Sequence, residues 1–286
     1  MKILLAKDAG YCFGVRDAVN LAYDKAKDYG EVYMLGTIVH NEKVVEDLSK
    51  AGTRVVDKLA EVRKDKPILF RAHGTAPKVW DKAKNKNLNI IDATCPLVTE
   101  IHDEIKKLEA EGRRTIIIGD HGHDEVVGIA SQVKDPFIIA TAEEAKALRK
   151  TKRAGVVSQS TQTIENVQKI INIIMTKVFD LRFVNTICFP TKRNQSQIKE
   201  LAKQCDVMIV IGSFSSANSK RLTALAKERN ENSYQVATAD EIEPRWLKQA
   251  ETVGVSAGAS TPDNIINDVL TKIKEIGKVP EEMIYG

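Results

Sequence analysis

The chain is poor in cysteine, poor in aromatics, and shows no surplus of either charge. Its 286 residues include four cysteines, too few and too widely spaced for the disulfide framework of a secreted domain, so reduced thiols are expected. Lysine and arginine number 43 against 39 aspartates and glutamates, a net charge of +4 scattered along the chain, which argues against a nucleic-acid partner. No apolar run approaches the roughly 18 residues that suggest a membrane span, and no basic-then-apolar leader opens the sequence. A cytoplasmic protein without a membrane span is therefore expected. There is also no long linker rich in proline, glycine or serine, so the parts of the chain are expected to pack together rather than swing.

What remains is an ordinary globular composition, 43% hydrophobic and 29% charged, long enough for two or three modest domains. Within it one local pattern recurs. Cys12, Cys95 and Cys188 each end an apolar, strand-like run and open a helix-like one, and 24 residues after each lies Gly36, Gly119 or Gly212. Four residues beyond those glycines stand His40, His123 and Ser216. Helical spacing follows each cysteine, in Val15, Ala18, Val19, Ala22 and Ala26, in Ile101, Ile105 and Leu108, and in Ile198, Leu201 and Ala202. A strand comes next, then a second helix over 42–50, 124–133 or 218–229, and a late strand ending in small polar residues around Arg71-Ala72-His73, Ser158-Gln159-Ser160-Thr161 and Ser256 to Ser260.

This register predicts an α/β fold of three pseudo-repeated domains with mostly parallel sheets, bounded at 1–94, 95–187 and 188–286 with a C-terminal tail. Ligands of such sheets bind beyond the carboxyl ends of the strands. Three thiols at matching strand ends imply a metal centre. Zinc would accept them, but structural zinc sites draw cysteines from short Cys-x2-Cys knuckles, which this sequence lacks. A cubane iron–sulfur cluster takes cysteines from distant segments, usually four, so three would leave one iron without a protein thiolate. Cys205, outside the register, reads as a buried apolar filler.

His40, His73, Ser216, Asn218 and Ser260 fall at strand ends and helix starts, a natural cradle for phosphate. His123 and Glu125 lie at the same level of the second copy. Glu125 would serve equally as a proton-holding acid or as a first-turn helix residue favoured by the dipole. Thr161 or its neighbour Ser160 would relay a proton, grip a substrate hydroxyl, or cap the next helix. His102 and His121 fall outside the register and read as structural. Two rival functions stay open at this level: a zinc hydrolase of a phosphorylated metabolite with Glu125 as base, and a metal-binding or phosphometabolite-sensing module.

The motifs Gly10-Tyr11-Cys12-Phe13-Gly14-Val15, Val39-His40-Asn41, Arg71-Ala72-His73-Gly74, Asp92-Ala93-Thr94-Cys95-Pro96, Gly122-His123-Asp124-Glu125-Val126, Thr186-Ile187-Cys188, Ser216-Ala217-Asn218-Ser219 and the segment 252–263 strongly resemble, in this order and nearly end to end, the 4-hydroxy-3-methylbut-2-enyl diphosphate reductase family. The resemblance implies a trefoil of three α/β domains around one four-iron four-sulfur cluster with three cysteine ligands, Cys12, Cys95 and Cys188. It implies a small allylic diphosphate as substrate, reduced to isopentenyl and dimethylallyl diphosphate in the last step of the methylerythritol phosphate route. His40, His73, His123, Ser216, Asn218 and Ser260 would bind it, with Thr161 near its hydroxyl and Glu125 as proton donor. Ser160, Thr191 and Ala217 mark further pocket positions. A ferredoxin or flavodoxin with its reductase would supply electrons to a monomer or weak homodimer. Three departures stand out: Gln159-Ser160-Thr161 where the family has Gln-Thr-Thr, Asn194-Gln195 where it often has Arg-Gln, with Arg193 beside it, and Ala217 where some relatives carry a second serine.

Overall fold

A computed structural model describes residues 1–277 and 284–285. In chain order, the elements of the first third are β1 (Lys2–Leu5), α1 (Phe13–Tyr29), β2 (Val32–Leu35), α2 (Glu42–Lys50), β3 (Thr53–Val56), β4 (Ile68–Phe70), α3 (Pro77–Asn85) and β5 (Ile90–Asp92). The middle third adds α4 (Pro96–Ala110), β6 (Arg114–Ile118), α5 (Asp124–Ala130), β7 (Phe137–Ile139), α6 (Ala142–Ala147), β8 (Thr151–Ser158), α7 (Ile164–Met175) and β9 (Val178–Phe183). The last contains α8 (Phe189–Leu201), β10 (Val207–Ile211), α9 (Ala217–Lys227), β11 (Ser233–Val236), α10 (Pro244–Leu247), β12 (Thr252–Ala257), α11 (Asp263–Gly277) and β13 (Ile284–Tyr285). The tail beyond α11 lies partly outside the described residues.

The chain divides into two units. One comprises Met1–Val15, His40–Val44 and Phe189–Gly286, the other Arg16–Val39 and Val45–Cys188. The first holds a parallel sheet ordered β11-β10-β12-β1-β13; the second holds two parallel sheets, β3-β2-β4-β5 and β7-β6-β8-β9. The expected α/β class with parallel sheets is what forms. Strand β1 pairs with β12, Ile3 opposite Val253, so the start of the chain completes the last sheet. Cys12 therefore follows a strand beside β12 just as Cys95 follows β5 beside β4 and Cys188 follows β9 beside β8.

Burial explains why these strands read as unbroken apolar runs. In β10 all five residues are buried: Val207, Ile209 and Ile211 face the cluster containing Val269 and Ile273 of α11, while Met208 and Val210 pack with Ile198 of α8 and Leu222 of α9. In β6, Ile116 and Ile118 join Val167 and Ile170 of α7, and Ile117 joins Ile105 of α4 and Val126 of α5. Helices on both faces leave no solvated side, so period-2 alternation disappears. Among the described residues no helix is long and apolar enough to cross a membrane.

The repeat is also written in backbone hydrogen bonds. The N–H groups of Gly36, Gly119 and Gly212, each one residue past the end of its strand, donate to Val56, Ile139 and Val236 at 2.9, 3.0 and 2.8 Å. Those of Cys12, Cys95 and Cys188 donate to Ala259, Ala72 and Ser160 at 3.4, 3.1 and 3.0 Å. Each of those acceptors stands two residues beyond the end of β12, β4 or β8. Gly36 has φ +73°, and a Cβ there would meet Arg71 Nη1 at 2.7 Å, so the turn after β2 needs glycine.

His102, on the buried face of α4, packs on the backbone of Gly74, where a Cβ would come within 2.6 Å of its ring. Burial, reinforced by Lys106, pushes its imidazole down to about 4. It is therefore neutral in the native protein at pH values where the unfolded chain already binds a proton. Stability from this group is fully present above pH about 6.5 and is lost as pH falls toward 4, by up to about 3 kcal/mol. Thermal melts between pH 7 and 4.5 should show that decline, and His102→Gln should flatten it.

Candidate active site

In the unit that contains Cys12, the segment His40-Asn41-Glu42 is held by side chains of the last sheet's loops. Asn41 Nδ2 donates to the Ser260 carbonyl at 2.9 Å, and Ser260 Oγ donates to the His40 carbonyl at 3.2 Å. Asn41 Oδ1 accepts from the Val44 N–H in the first turn of α2. The Glu42 carboxylate accepts from Ser213 Oγ at 2.9 Å and Ser215 Oγ at 2.7 Å. Burial pushes the Glu42 carboxyl up, but the two hydroxyls together with its own backbone outweigh it and leave the group below its usual range. Ser216 caps α9 through the Ser219 N–H. Asn218 is 7% exposed, and neither its amide nitrogen nor its oxygen finds a hydrogen-bond partner among the described residues. A buried amide without partners is costly, and a polar ligand relieves that cost.

Thr191 and Asn194 of α8 are buried in the same unit; Asn194 Nδ2 donates to the Ala257 carbonyl at 3.2 Å. Arg193 turns away to Asp8, which Gln197 also contacts, so Arg193 is an ion-pair residue of α8. Ala217 opens α9 without a side chain to offer a ligand.

In the other unit, α5 begins where Gly122, at φ +75°, turns the chain. His123 caps that helix, its Nδ1 accepting the Glu125 N–H at 3.2 Å, and its ring meets His73 edge-on at 5.8 Å between centroids. Asp124 forms a 2.6 Å ion pair with Arg71 at the end of β4. Glu125 is 2% exposed: it is both a first-turn residue and a buried acid. Its Oε1 accepts the Ser160 N–H at 2.6 Å and its Oε2 accepts Ser160 Oγ at 2.7 Å. The Ser160 carbonyl in turn takes the Cys188 N–H. Thr161 Oγ1 accepts from Gln159 Nε2 at 3.2 Å. Neither Ser160 nor Thr161 caps the following helix, as the sequence allowed; Thr163 does, two residues nearer its start.

The cysteines share an electrostatic setting. None of the four is in a disulfide, and all are of intermediate burial. Those of the register each precede a helix, α1, α4 or α8, whose first turn contains no acidic residue. The positive end of each of these three helices faces no carboxylate of its own first turn, a setting that suits an anionic partner. Cysteine thiols are the donors that an iron–sulfur group takes. Cys205 instead packs below Gly254 of β12, where burial pushes its thiol up. His121 pairs with Glu144 on the surface.

The family model of the LytB protein matches residues 3–274. The chain belongs to the LytB protein family. Its LytB relatives include the 4-hydroxy-3-methylbut-2-enyl diphosphate reductases of Geotalea uraniireducens (strain Rf4), 39% identical over 97% of this chain and 99% of the relative, and of Geobacter sulfurreducens, 38% identical over 96% and 98%. Among solved LytB-like structures, the E-1-hydroxy-2-methyl-but-2-enyl-4-diphosphate reductase from Plasmodium falciparum superposes with TM-score 0.91 at 28% identity, covering 96% of this chain and 88% of that one. A second, titled (E)-4-hydroxy-3-methyl-but-2-enyl diphosphate reductase, the terminal enzyme of the non-mevalonate pathway, gives 0.72 at 36% identity, covering 96% and 100%.

Two polar groups beside the predicted residues, one in each unit, were not read from the sequence. Gln159, fully buried, accepts the Asp120 N–H at 3.0 Å and steadies Thr161; Glu42 anchors the serine loop. Glu42 had a signal, since it stands two residues after His40 as Glu125 does after His123. Because Ser160 Oγ donates to the buried Glu125 carboxylate, Ser160→Ala should destabilise the protein by about 1–3 kcal/mol. Ser160→Thr, which keeps the hydroxyl, should cost less; urea unfolding midpoints measure both.

Proposed function

We propose that this chain, like the reductases it resembles, removes the hydroxyl of 4-hydroxy-3-methylbut-2-enyl diphosphate and releases isopentenyl and dimethylallyl diphosphate. The observation that carries this reading is the Ser160 junction. One residue ties the buried acid Glu125, through its N–H and Oγ, to the loop of the thiol Cys188, through its carbonyl. An acid placed beside a redox centre is what reductive loss of water requires.

The overall change consumes two electrons and two protons per allylic alcohol and expels one water. Cys12, Cys95 and Cys188, one from each of the repeats 1–94, 95–187 and 188–286, are the ligands of a four-iron four-sulfur cluster in this reading. When bound, such a cluster supplies electrons and one iron free of protein ligands. The rest is the work of the chain. His40, His73, His123, Ser216, Asn218 and Ser260 hold the diphosphate, and the unpartnered Asn218 amide is the clearest support for a ligand there. Fixing the diphosphate fixes the allylic carbon at the far end of the substrate, so binding energy becomes orientation. Thr161 Oγ, steadied by Gln159, receives the substrate hydroxyl. Ser160, donating through its N–H and Oγ, orients the Glu125 carboxyl group, which passes a proton to the substrate in a site from which bulk water is excluded. A small low-potential carrier protein, a ferredoxin or flavodoxin, supplies the electrons.

Anaerobically purified protein should contain iron and sulfide and, with a chemically reduced low-potential dye, convert the allylic diphosphate. A well-reduced, iron-loaded sample without conversion would sink the assignment. Glu125→Gln should keep its iron and its substrate affinity while turnover falls by about 100-fold or more. Asn218→Ala should raise KM about tenfold with kcat within about twofold, the loss of about one hydrogen bond to a charged group.

A further inference from the structure

Phe13 and Phe189 are the residues immediately after Cys12 and Cys188. Their rings stack, 5.6 Å between centroids and 9° between planes, yet they remain 38% and 52% exposed. Each opens its helix outside the buried stripe, which in α1 is Ala18, Val19, Ala22 and Ala26, and in α8 is Thr191, Asn194, Gln195 and Ile198. Two adjacent aromatic rings left in water mark a surface that something else covers.

The charge around the pair indicates what covers it. Lys192 and Arg193 stand three and four residues beyond Phe189, one turn along α8 and on the same side. Arg193 reaches Asp8 of the loop that delivers Cys12, which brings that loop, with exposed Lys7, against α8. Lys7 and Lys192 make no ion pair or hydrogen bond among the described residues. On α1, exposed Arg16 and Asp17 stand at the same spacing from Phe13 and offset each other, so the patch is aromatic at its centre with Lys7 and Lys192 as the cationic part of its rim.

Resting on the reductase reading above, we propose that the Phe13–Phe189 stack and its lysine rim form the docking face for a small acidic one-electron carrier protein. Each docking passes one electron, oxidising the carrier by one unit, so two dockings supply the two electrons of each turnover. The two protons enter through Glu125 and the oxygen leaves as water. Apolar contact between rings and carrier gives affinity, and the lysines give rate and orientation.

The test uses the iron-loaded holoenzyme, with an acidic flavodoxin as probe, in two measurements. Calorimetric affinity for oxidised flavodoxin should fall at least tenfold in Phe189→Ser and in Phe13→Ser. In Lys192→Glu it should fall severalfold, with a weaker dependence on salt. Turnover driven by reduced methyl viologen, which needs no docking face, should stay within twofold of the unsubstituted enzyme. Unchanged flavodoxin affinity in both phenylalanine variants overturns the proposal. So does loss of viologen-driven turnover as large as the loss of flavodoxin-driven turnover, or a dimer of the unsubstituted chain that Phe189→Ser converts to monomer. If the unsubstituted enzyme converts no substrate even with viologen, the functional reading fails instead, while the affinity measurement still decides the docking face.

Discussion

The hydrogen bond from the N–H of Cys12, Cys95 and Cys188 to a carbonyl two residues past an inner strand is the constraint on which the sulfur-bearing loops depend. A thiol on a free loop would sample many positions, whereas a thiol whose own backbone is tied to the rim of a buried parallel sheet is as fixed as the sheet. The sheets are fixed because both faces are covered by helices and their strands are apolar throughout. The same bond is made three times, with Ala259, Ala72 and Ser160 as acceptors, so rigidity of the core becomes rigidity of the sulfur-bearing loops. Sites built on rigid elements keep the tolerances that catalysis needs.

Ser160 shows how much one residue at such a rim can do. Its carbonyl holds the Cys188 loop, and its N–H and hydroxyl hold a carboxylate with 2% exposure. A buried carboxylate is tolerated only when its oxygens are satisfied, and here two donors come from the strand end itself. The His40 segment is held by the same kind of device in the other unit, through Asn41, Ser260 and the Glu42–Ser213–Ser215 cluster. Polar side chains that would be expensive in a core are placed where strands end and helices begin; Asn41, Ser260 and Glu42 find partners there, whereas Asn218 finds none among the described residues.

Much of this was legible before folding because it is written as spacing. The run from cysteine to glycine to histidine or serine survives in one dimension, and the structure places each of those glycines one residue after its strand. Strand class, helix starts near residues 42, 124 and 217, and the filler role of Cys205 follow from local pattern. The capping role of Thr163 rather than Ser160 or Thr161 did not, because a cap depends on where the first helical turn starts, and neighbouring hydroxyls look alike in sequence. The Arg193–Asp8 pair and the Gln159 contacts join residues whose meeting no periodicity encodes.

By itself the sequence determined the parallel α/β units, the matched thiols, and the acid and histidines at equivalent positions, since apolar periodicity and repeat spacing are properties of the chain read in order. Only the tertiary structure decided that β1 joins the last sheet between β12 and β13, that Glu125 rests on Ser160, and that Phe13 and Phe189 stack in solvent. Those are choices among partners distant along the chain. They are settled when burial and hydrogen bonding are satisfied over a whole unit at once, and no local stretch of residues contains that information.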